Sequence, residues 1–490
     1  VLSIIFHDSQ PCIVRDQEGI MSSIIGIGTY LPRLRLERRS MASALGWLTP
    51  AAGAGSGARS LGFWDEDSLT MAVAAARAAL PEAARDQVHA LSFATTTPPF
   101  AEPQNAALVH AALRLPETCQ THDATGTPRA TLLALQAALD AGQPTLVAAA
   151  DRPVMPAGSI AESRAGDGGA AAWVGPGKGI LTYLGGASLA APFIHRTRAA
   201  GASLPLDWEE RWQRDEGYLK LVPAAIDAAL RTAGLAPTEI DHLILPCPIP
   251  RTSGAVARAA GLTSAHLASD LADSVGDTGA AHALLMLAAA LPQMAAGQKV
   301  LLAQFGQGAT ALIFEAQEGV SIASSVHDQI EAGIAETNYL KLLAFQGGLD
   351  WDRGLRGRYA VPEIQTTAYR NAEALLGFVA SRDAATGLVQ FPPGQQSGGD
   401  PWPLAERGGR IATITADLLA FSRHPPSCYG LVDFNGGGRL MMDVTDPGAA
   451  QLKPGDPVRF EFRLKDMDET TGFRRYFWKA VHDPAQRVGA

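Results

Sequence analysis

The chain has 490 residues, 47% of them apolar, and a formal net charge of −9. That length and apolar share predict two or three globular domains with large buried cores, not a disordered chain. The acidic balance, with no block of like charge to offset it, argues against a nucleic-acid or anionic-membrane partner.

Residues 1–20 match nothing downstream and read as a possible extension. "SSIIGIGTYLPRLRL" then begins as a strand after Met21. The four cysteines (Cys12, Cys119, Cys247, Cys428) stand far apart and form no CxxC pair. Neither a disulfide framework nor a cysteine zinc site is expected, and a cytoplasmic location is the default.

From there the chain repeats itself. "AAARAAL" at 74–80 recurs as "AAIDAAL" at 224–230, each followed by a short loop and an apolar strand, "VHALSFATTTP" and "IDHLILPCPIP". "LLALQAAL" at 132–139 recurs as "LLMLAAAL" at 284–291, followed by "AGQPTLVAAA" and "AGQKVLLAQF". Each half reads helix, strand, turn, helix, strand. Ala-rich helices and short strands without alternation indicate sheets covered on both faces. The two LLxL segments are predicted to be central helices at a pseudo-twofold. The long apolar stretch Gly279 to Gly297 is broken by Pro292, so a buried helix is expected there, not a membrane span.

After about residue 320 the pattern changes. Connectors fill 321–380, and 381–490 reads as short strands with Gly and Pro turns, including "GLVQFPP", "CYGLVDFNGGGRLMMDVTD" and "RRYFWKAV". A small β-barrel of the OB type is predicted.

Several motifs carry a family resemblance. "IIGIGTYLPRLRL", "DEDSLTMAVAAARAAL" at 65–80, "GDGGAAAWVG" at 166–175 and "VLLAQFGQGATALIFE" at 300–315 occur in order. They resemble the hydroxymethylglutaryl-CoA synthase and ketoacyl synthase III branch of the thiolase superfamily. The C-terminal strands resemble the OB-fold domain that accompanies acyl-CoA-processing thiolases and synthases. The resemblance implies an α/β fold with a duplicated, layered αβαβα core, halves at 21–195 and 196–320, and an OB barrel. It also implies a CoA thioester as substrate or ligand with no tightly bound cofactor, and a homodimer formed through the core.

The family's reactive cysteine, histidine and asparagine fall on Pro128, Pro246 and Asp277. Its synthase glutamate falls near Thr96. Proline supplies no nucleophile but suits the first turn of a helix. Thr127 keeps a hydroxyl and is read as a helix cap. Cys247 is read as a small half-buried side chain, and Asp277 as a cap for the helix after it. Cys119 and His122, three apart, are expected on opposite faces of one strand. Gly306 and Gly308 are read as cleft backbone that a ligand or a loop can approach closely. Tyr476, Phe477 and Trp478 are read as barrel core or as a platform for an adenine. The zinc knuckles of some relatives would fall on Asp383 and Thr386 and in "PGQQSGGD", which hold no cysteine, so no metal is expected.

Three functional readings stand. In the first, this is an assisting subunit of an acyltransferase complex, docked on a thiolase-like catalytic protein. In the second, it is an acyl-CoA or β-keto-thioester acyltransferase or C–C cleaving enzyme, using Thr127, Cys247 or Asp277. In the third, it is a CoA-binding scaffold.

Overall fold

A computed structural model describes residues 21–49, 55–318, 325–349, 351–352, 364–394, 399–419, 422–468 and 471–485. The possible extension at 1–20 lies outside them. Ten strands form one sheet: β1 (Ser22–Tyr30), β2 (Ala90–Thr95), β3 (Gln120–Thr125), β4 (Thr145–Asp151), β5 (Gly168–Pro176), β6 (Leu181–Ala190), β7 (His242–Ile244), β8 (His266–Leu267), β9 (Lys299–Phe305) and β10 (Gly308–Ala316). Their order is β8-β7-β9-β10-β6-β1-β5-β4-β2-β3.

The duplication is visible in the pairing. Outward from the β1–β6 seam, where Ser23 faces Thr182 and Ile24 faces Leu181, each half runs antiparallel, antiparallel, parallel, parallel. By this topology the second half starts at β6, upstream of residue 196. Strand β1 lies between β5 and β6 and is antiparallel to both, so the short link 177–180 steps across the seam, and its sequence carries no domain break.

Six helices repeat in the same way: α1 (Ser68–Ala79), α2 (Asn105–Leu113), α3 (Ala130–Ala141), α4 (Leu219–Ala233), α5 (Thr252–Ala259) and α6 (His282–Ala290). The predicted central helices are α3 and α6, which share one buried cluster with strands of both halves. Helices α1 and α2 pack outside the first half, and α4 and α5 outside the second. Strand β4 shows why the apolar runs do not alternate. Leu146, Ala148 and Ala150 join the outer cluster, while Val147 and Ala149 join the central one. A strand buried on both faces has no polar side to present. Among the described residues no helix is long and apolar enough to cross a membrane.

The C-terminal barrel comprises β11 (Gly409–Asp417), β12 (Ser427–Phe434), β13 (Arg439–Asp443), β14 (Pro457–Met467) and β15 (Arg474–His482), in the order β13-β12-β11-β14-β15. A parallel bridge between Val444 and Ala480 nearly closes it. Phe434, Phe460, Phe462 and Trp478 fill its core. The aromatic platform is therefore interior. Trp478 is fully buried and its Nε1 donates to Leu376 O at 2.6 Å. The Tyr476 hydroxyl donates to Asp67 at 2.7 Å, and Phe477 packs on Phe378 and Phe391. Tyr476 and Trp478 are consumed by folding the barrel onto the core, and Phe477 is partly buried.

The connector is not a loose tether. Its strand Ile334–Glu336 pairs in parallel with Leu34–Glu37, and its helix Tyr339–Phe345 packs on Leu36, Met41 and Phe63.

The acidic triplet 65–67, just before α1, anchors the barrel. Asp65 accepts from Thr445 Oγ1 at 2.7 Å and from Lys479 Nζ at 3.0 Å. Glu66 pairs with Arg463 at 2.6 Å, and Arg463 also meets Asp446 at 3.0 Å. Asp67 pairs with Arg474 at 2.9 Å while capping α1 through Thr70. Burial alone would raise the Asp65 pKa, but Lys479 and Arg463, with bonds from Thr445 and Lys479, hold it below the usual carboxylate range. Next to this joint, Arg77 of α1 donates to Phe460 O and Ala405 O and pairs with Glu406.

Candidate functional site

The strand ends of both halves meet around a cleft of about 360 Å³. The first half contributes Thr96 and Pro128, and the second Pro248, Ile249, Asp277 and Gly279. The segment between β6 and α4 roofs it with Arg196, Leu206 and Trp208. Three of the four positions that the resemblance assigns to reactive side chains, Thr96, Pro128 and Asp277, thus line one cavity.

Pro128 sits in the turn just before α3, where Ala130 N donates to Thr127 O at 3.1 Å. Proline's missing N–H leaves no donor at this point of the cleft. Thr127 does not cap the helix, whose N-terminus has no side-chain cap. Its hydroxyl instead crosses to the other half and donates to Gly306 O at 2.9 Å. Arg129 joins it, bonding Gly306 O, Gln307 O and Thr310 Oγ1.

Of the two approaches read for Gly306 and Gly308, by a ligand or by a loop, the structure shows the chain itself. A Cβ on Gly306 would lie 2.4 Å from Thr127 Oγ1, and one on Gly308 would lie 1.9 Å from Leu189 O. Both spaces are filled by the protein's own atoms, so the glycines serve close chain packing.

Asp277 does hold the chain entering α6, accepting from Gly279 N at 2.9 Å through Oδ1. Its backbone bridges to Arg164 O and Gly166 N. Among the described residues no hydrogen-bond donor meets its Oδ2. Cys247 is buried and lines a neighbouring cavity with Arg251, Asp270 and His282. Burial pushes its thiol up to about 12, so it is neutral near pH 7 and a poor nucleophile. Cys119 and His122 are not brought together. Cys119 is buried ahead of β3, and His122 Nε2 meets Ser92 Oγ at 3.0 Å.

Sequence reasoning missed the groups that set the cleft's shape. Asp151, at the end of β4, is fully buried. Its carboxylate accepts from Thr96 N at 2.7 Å, Thr97 N at 3.0 Å and Ala280 N at 2.8 Å, and from the hydroxyls of Thr95, Thr96 and Thr97. It ties the Thr96 loop to the start of α6 across the two halves. Burial raises its pKa, and these bonds oppose the rise. Gly279 has φ +58°, and a Cβ there would lie 2.3 Å from Asp151 Oδ2.

Arg196 was also missed. Its Nε and one Nη donate to the two carboxylate oxygens of Asp207. Against the effect of burial, Asp207 and, beyond it, Asp277 and Asp151 hold its pKa above the ordinary value. Arg198 donates to Thr96 O at 2.7 Å and pins the roof to the floor. The one signal in sequence was "TLVAAAD": an acid that ends a wholly apolar strand needs an unusual set of donors.

The region of the knuckle positions forms a different turn. Asp383 accepts from Ala385 N, Thr386 N and Thr386 Oγ1. Part of "PGQQSGGD", residues 395–398, lies outside the described residues. Among the described residues no cluster of three or more His, Cys, Asp or Glu side chains has the arrangement of a metal site.

Comparison with known proteins fits this geometry. The family pattern of the 3-oxoacyl-[acyl-carrier-protein] synthase III C-terminal domain matches residues 230–315, and that of the ChsH2 C-terminal OB-fold domain matches residues 402–463. The chain carries a synthase-like domain of thiolase-superfamily type and a C-terminal OB-fold domain. A hydroxymethylglutaryl-CoA synthase from Aeropyrum pernix is 27% identical over 297 residues, covering 59% of this chain and 82% of that one. The crystal structure of 3-oxoacyl-(acyl carrier protein) synthase III from Pseudomonas aeruginosa PAO1 superposes with a TM-score of 0.54 at 23% identity, over 61% of this chain and 99% of that one. An HMG-CoA synthase complexed with CoA gives a TM-score of 0.54 at 18% identity, over 77% and 95%. These last two likenesses carry the fold alone.

Proposed function

We propose that this protein binds a CoA thioester in the Thr96–Pro128–Asp277 cleft as the synthase-like subunit of an acyl-CoA-processing complex. A thiolase-like partner supplies the nucleophile. The observation that carries the reading is Pro128. The resemblance assigns to it the helix start that in that family bears the acyl-accepting cysteine, and it lines the cleft together with Thr96 and Asp277. The relatives are named for hydroxymethylglutaryl-CoA synthesis, and one solved neighbour holds CoA. Strand β3 supports a homodimer: it is one outer edge of the sheet, none of its side chains is fully buried, and an unpaired edge is a template for a second copy. The test is intact-mass analysis after incubation with acetyl-CoA and acetoacetyl-CoA. No covalent acyl adduct is expected, while equilibrium dialysis detects bound CoA thioester. An adduct on this chain, or no binding of any CoA thioester, overturns the reading.

The free Oδ2 of Asp277 favours a second reading. A carboxylate oxygen facing the cleft can act as a general base in cleaving a β-keto or β-hydroxy thioester without an acyl-enzyme. Turnover by the isolated chain, lost in Asp277→Asn with CoA binding retained, supports it over the first.

A further inference from the structure

One wall of the cleft is held in place from behind. Pro153, Met155, Pro156, Ser159, Ile160 and Ala161 line the cavity in succession after β4. They pair with no strand, and only Ile160 and Ala161 lie in a helix, the short Ile160–Arg164. The far end of that helix is tied to the core: Arg59 donates to Glu162 O at 2.7 Å, and Asp277 N to Arg164 O at 2.8 Å. The stretch 153–161 has no such ties. Among the described residues, its one hydrogen bond to the chain outside 153–165 comes from Gln346 Nε2, which donates to Pro153 O at 3.1 Å.

The other hold on this stretch runs through Glu162. Its side chain reaches back along the wall and accepts from Gly158 N at 2.7 Å. The Tyr339 hydroxyl, at 2.9 and 3.1 Å from the two carboxylate oxygens, is the other donor. Glu162 is 1% exposed, and among the described residues no basic side chain forms an ion pair with it. Burial raises its pKa, and the bonds from Gly158 and Tyr339 oppose the rise, with Arg59 nearby. Tyr339 is buried too, and its hydroxyl meets only Glu162.

Tyr339 and Gln346 stand at the two ends of the connector helix Tyr339–Phe345, and Phe345 O accepts from Arg152, the residue just ahead of the wall, at 3.2 Å. One helix thus grips the wall at both ends. Neither matched family pattern, 230–315 or 402–463, reaches it. A buried carboxylate with two donors is aimed by both of them. Without the tyrosine hydroxyl it is free to swing away from Gly158 and release the turn that lines the cleft. Binding groups keep their geometry only when the groups behind them are fixed.

We propose that Tyr339 is a positioning residue for the cleft, acting through Glu162 on the wall 153–161, so that the connector helix sets the cleft's affinity for a CoA thioester. The inference rests on the reading of the cleft as a thioester site.

Acetoacetyl-CoA is the probe, in equilibrium dialysis against the full chain. Wild type is expected to bind, and Tyr339→Phe to bind at least about threefold more weakly. Native-state hydrogen exchange is the control: amides of 157–165 are expected to exchange faster while α3 and α6 keep their protection. E162Q can still accept from Gly158 N and donate to the Tyr339 oxygen, and is expected to retain most of the affinity that E162A loses. A purely structural tyrosine would lower stability and leave affinity unmoved. Should Y339F fail to fold, Gln346→Ala, at a half-buried position, is expected to weaken binding at least about twofold. No binding by wild type overturns the reading of the cleft and this inference with it. Binding by wild type that is unchanged in folded Y339F or in Q346A, or that is equal in E162A and E162Q, overturns the positioning role alone.

Discussion

Replacing Asp65 by Asn tests the joint between core and barrel. The substitution keeps volume and one acceptor for Thr445, removes the charge and turns the other carboxylate oxygen into an NH2 donor. Lys479, whose side chain is 2% exposed, would keep Asp443 at 4.0 Å and the Trp64 ring at 4.3 Å. Breaking a buried pair by removing one partner costs about 3–5 kcal/mol, because the other charge stays buried. The residual contacts place the expected loss at the lower end, about 3 kcal/mol. Unfolding of a multidomain chain is not two-state, so the readout is native-state hydrogen exchange at β14 and β15. The D65N/K479M double variant removes both charges and is expected to recover the loss to within about 1 kcal/mol. A loss in D65N under about 1 kcal/mol, or no recovery in the double variant, refutes the account of the joint as charge-matched.

Acid should loosen the same joint. Asp65 and Glu406 have folded pKa values below their ordinary ones, so they contribute stability above the ordinary carboxylate range. That contribution is lost as pH falls through the folded values; Glu66, raised by burial, runs the other way. Exchange protection in β14 and β15 is expected to drop between about pH 4 and pH 2 ahead of the central helices. Asp151→Asn turns one acceptor toward the Thr96 and Ala280 N–H groups into a donor. A loss of about 1–3 kcal/mol is expected, measured by thermal unfolding together with CoA-thioester affinity. Gly279→Ala forces a methyl onto Asp151 Oδ2 at a left-handed φ, and a lower Tm is expected, equivalent to at least about 1 kcal/mol. Cys247, held neutral and buried, should resist iodoacetamide at pH 7.5 in the native protein and react fully in denaturant.

The duplicated core was legible because repeats and small-residue helices report packing directly. The barrel was legible because turn residues space its strands. The cleft was legible where it rested on chain position: Pro128, Thr96 and Asp277 line one cavity. What failed to show was side-chain direction. Thr127 looked like a cap because it precedes a helix, yet its hydroxyl is needed across the pseudo-twofold at Gly306. Tyr476, Phe477 and Trp478 left two readings, barrel core or ligand platform, because aromatic runs are ambiguous until the barrel's inner face is known; the burial of Tyr476 and Trp478 fits the first. Asp151 was missed for a related reason: its partners, Thr95 to Thr97 and Ala280, lie in distant segments that local pattern cannot pair.

The triplet Asp65–Glu66–Asp67 has a consequence for dissection of the chain. Cut near residue 380, the first fragment would present a negative patch, and the second, through Arg463, Arg474 and Lys479, a positive one. The fragments should therefore find each other from solution, faster in dilute buffer than in brine. Recombined in that way, they would let each half be varied or isotopically marked without the other.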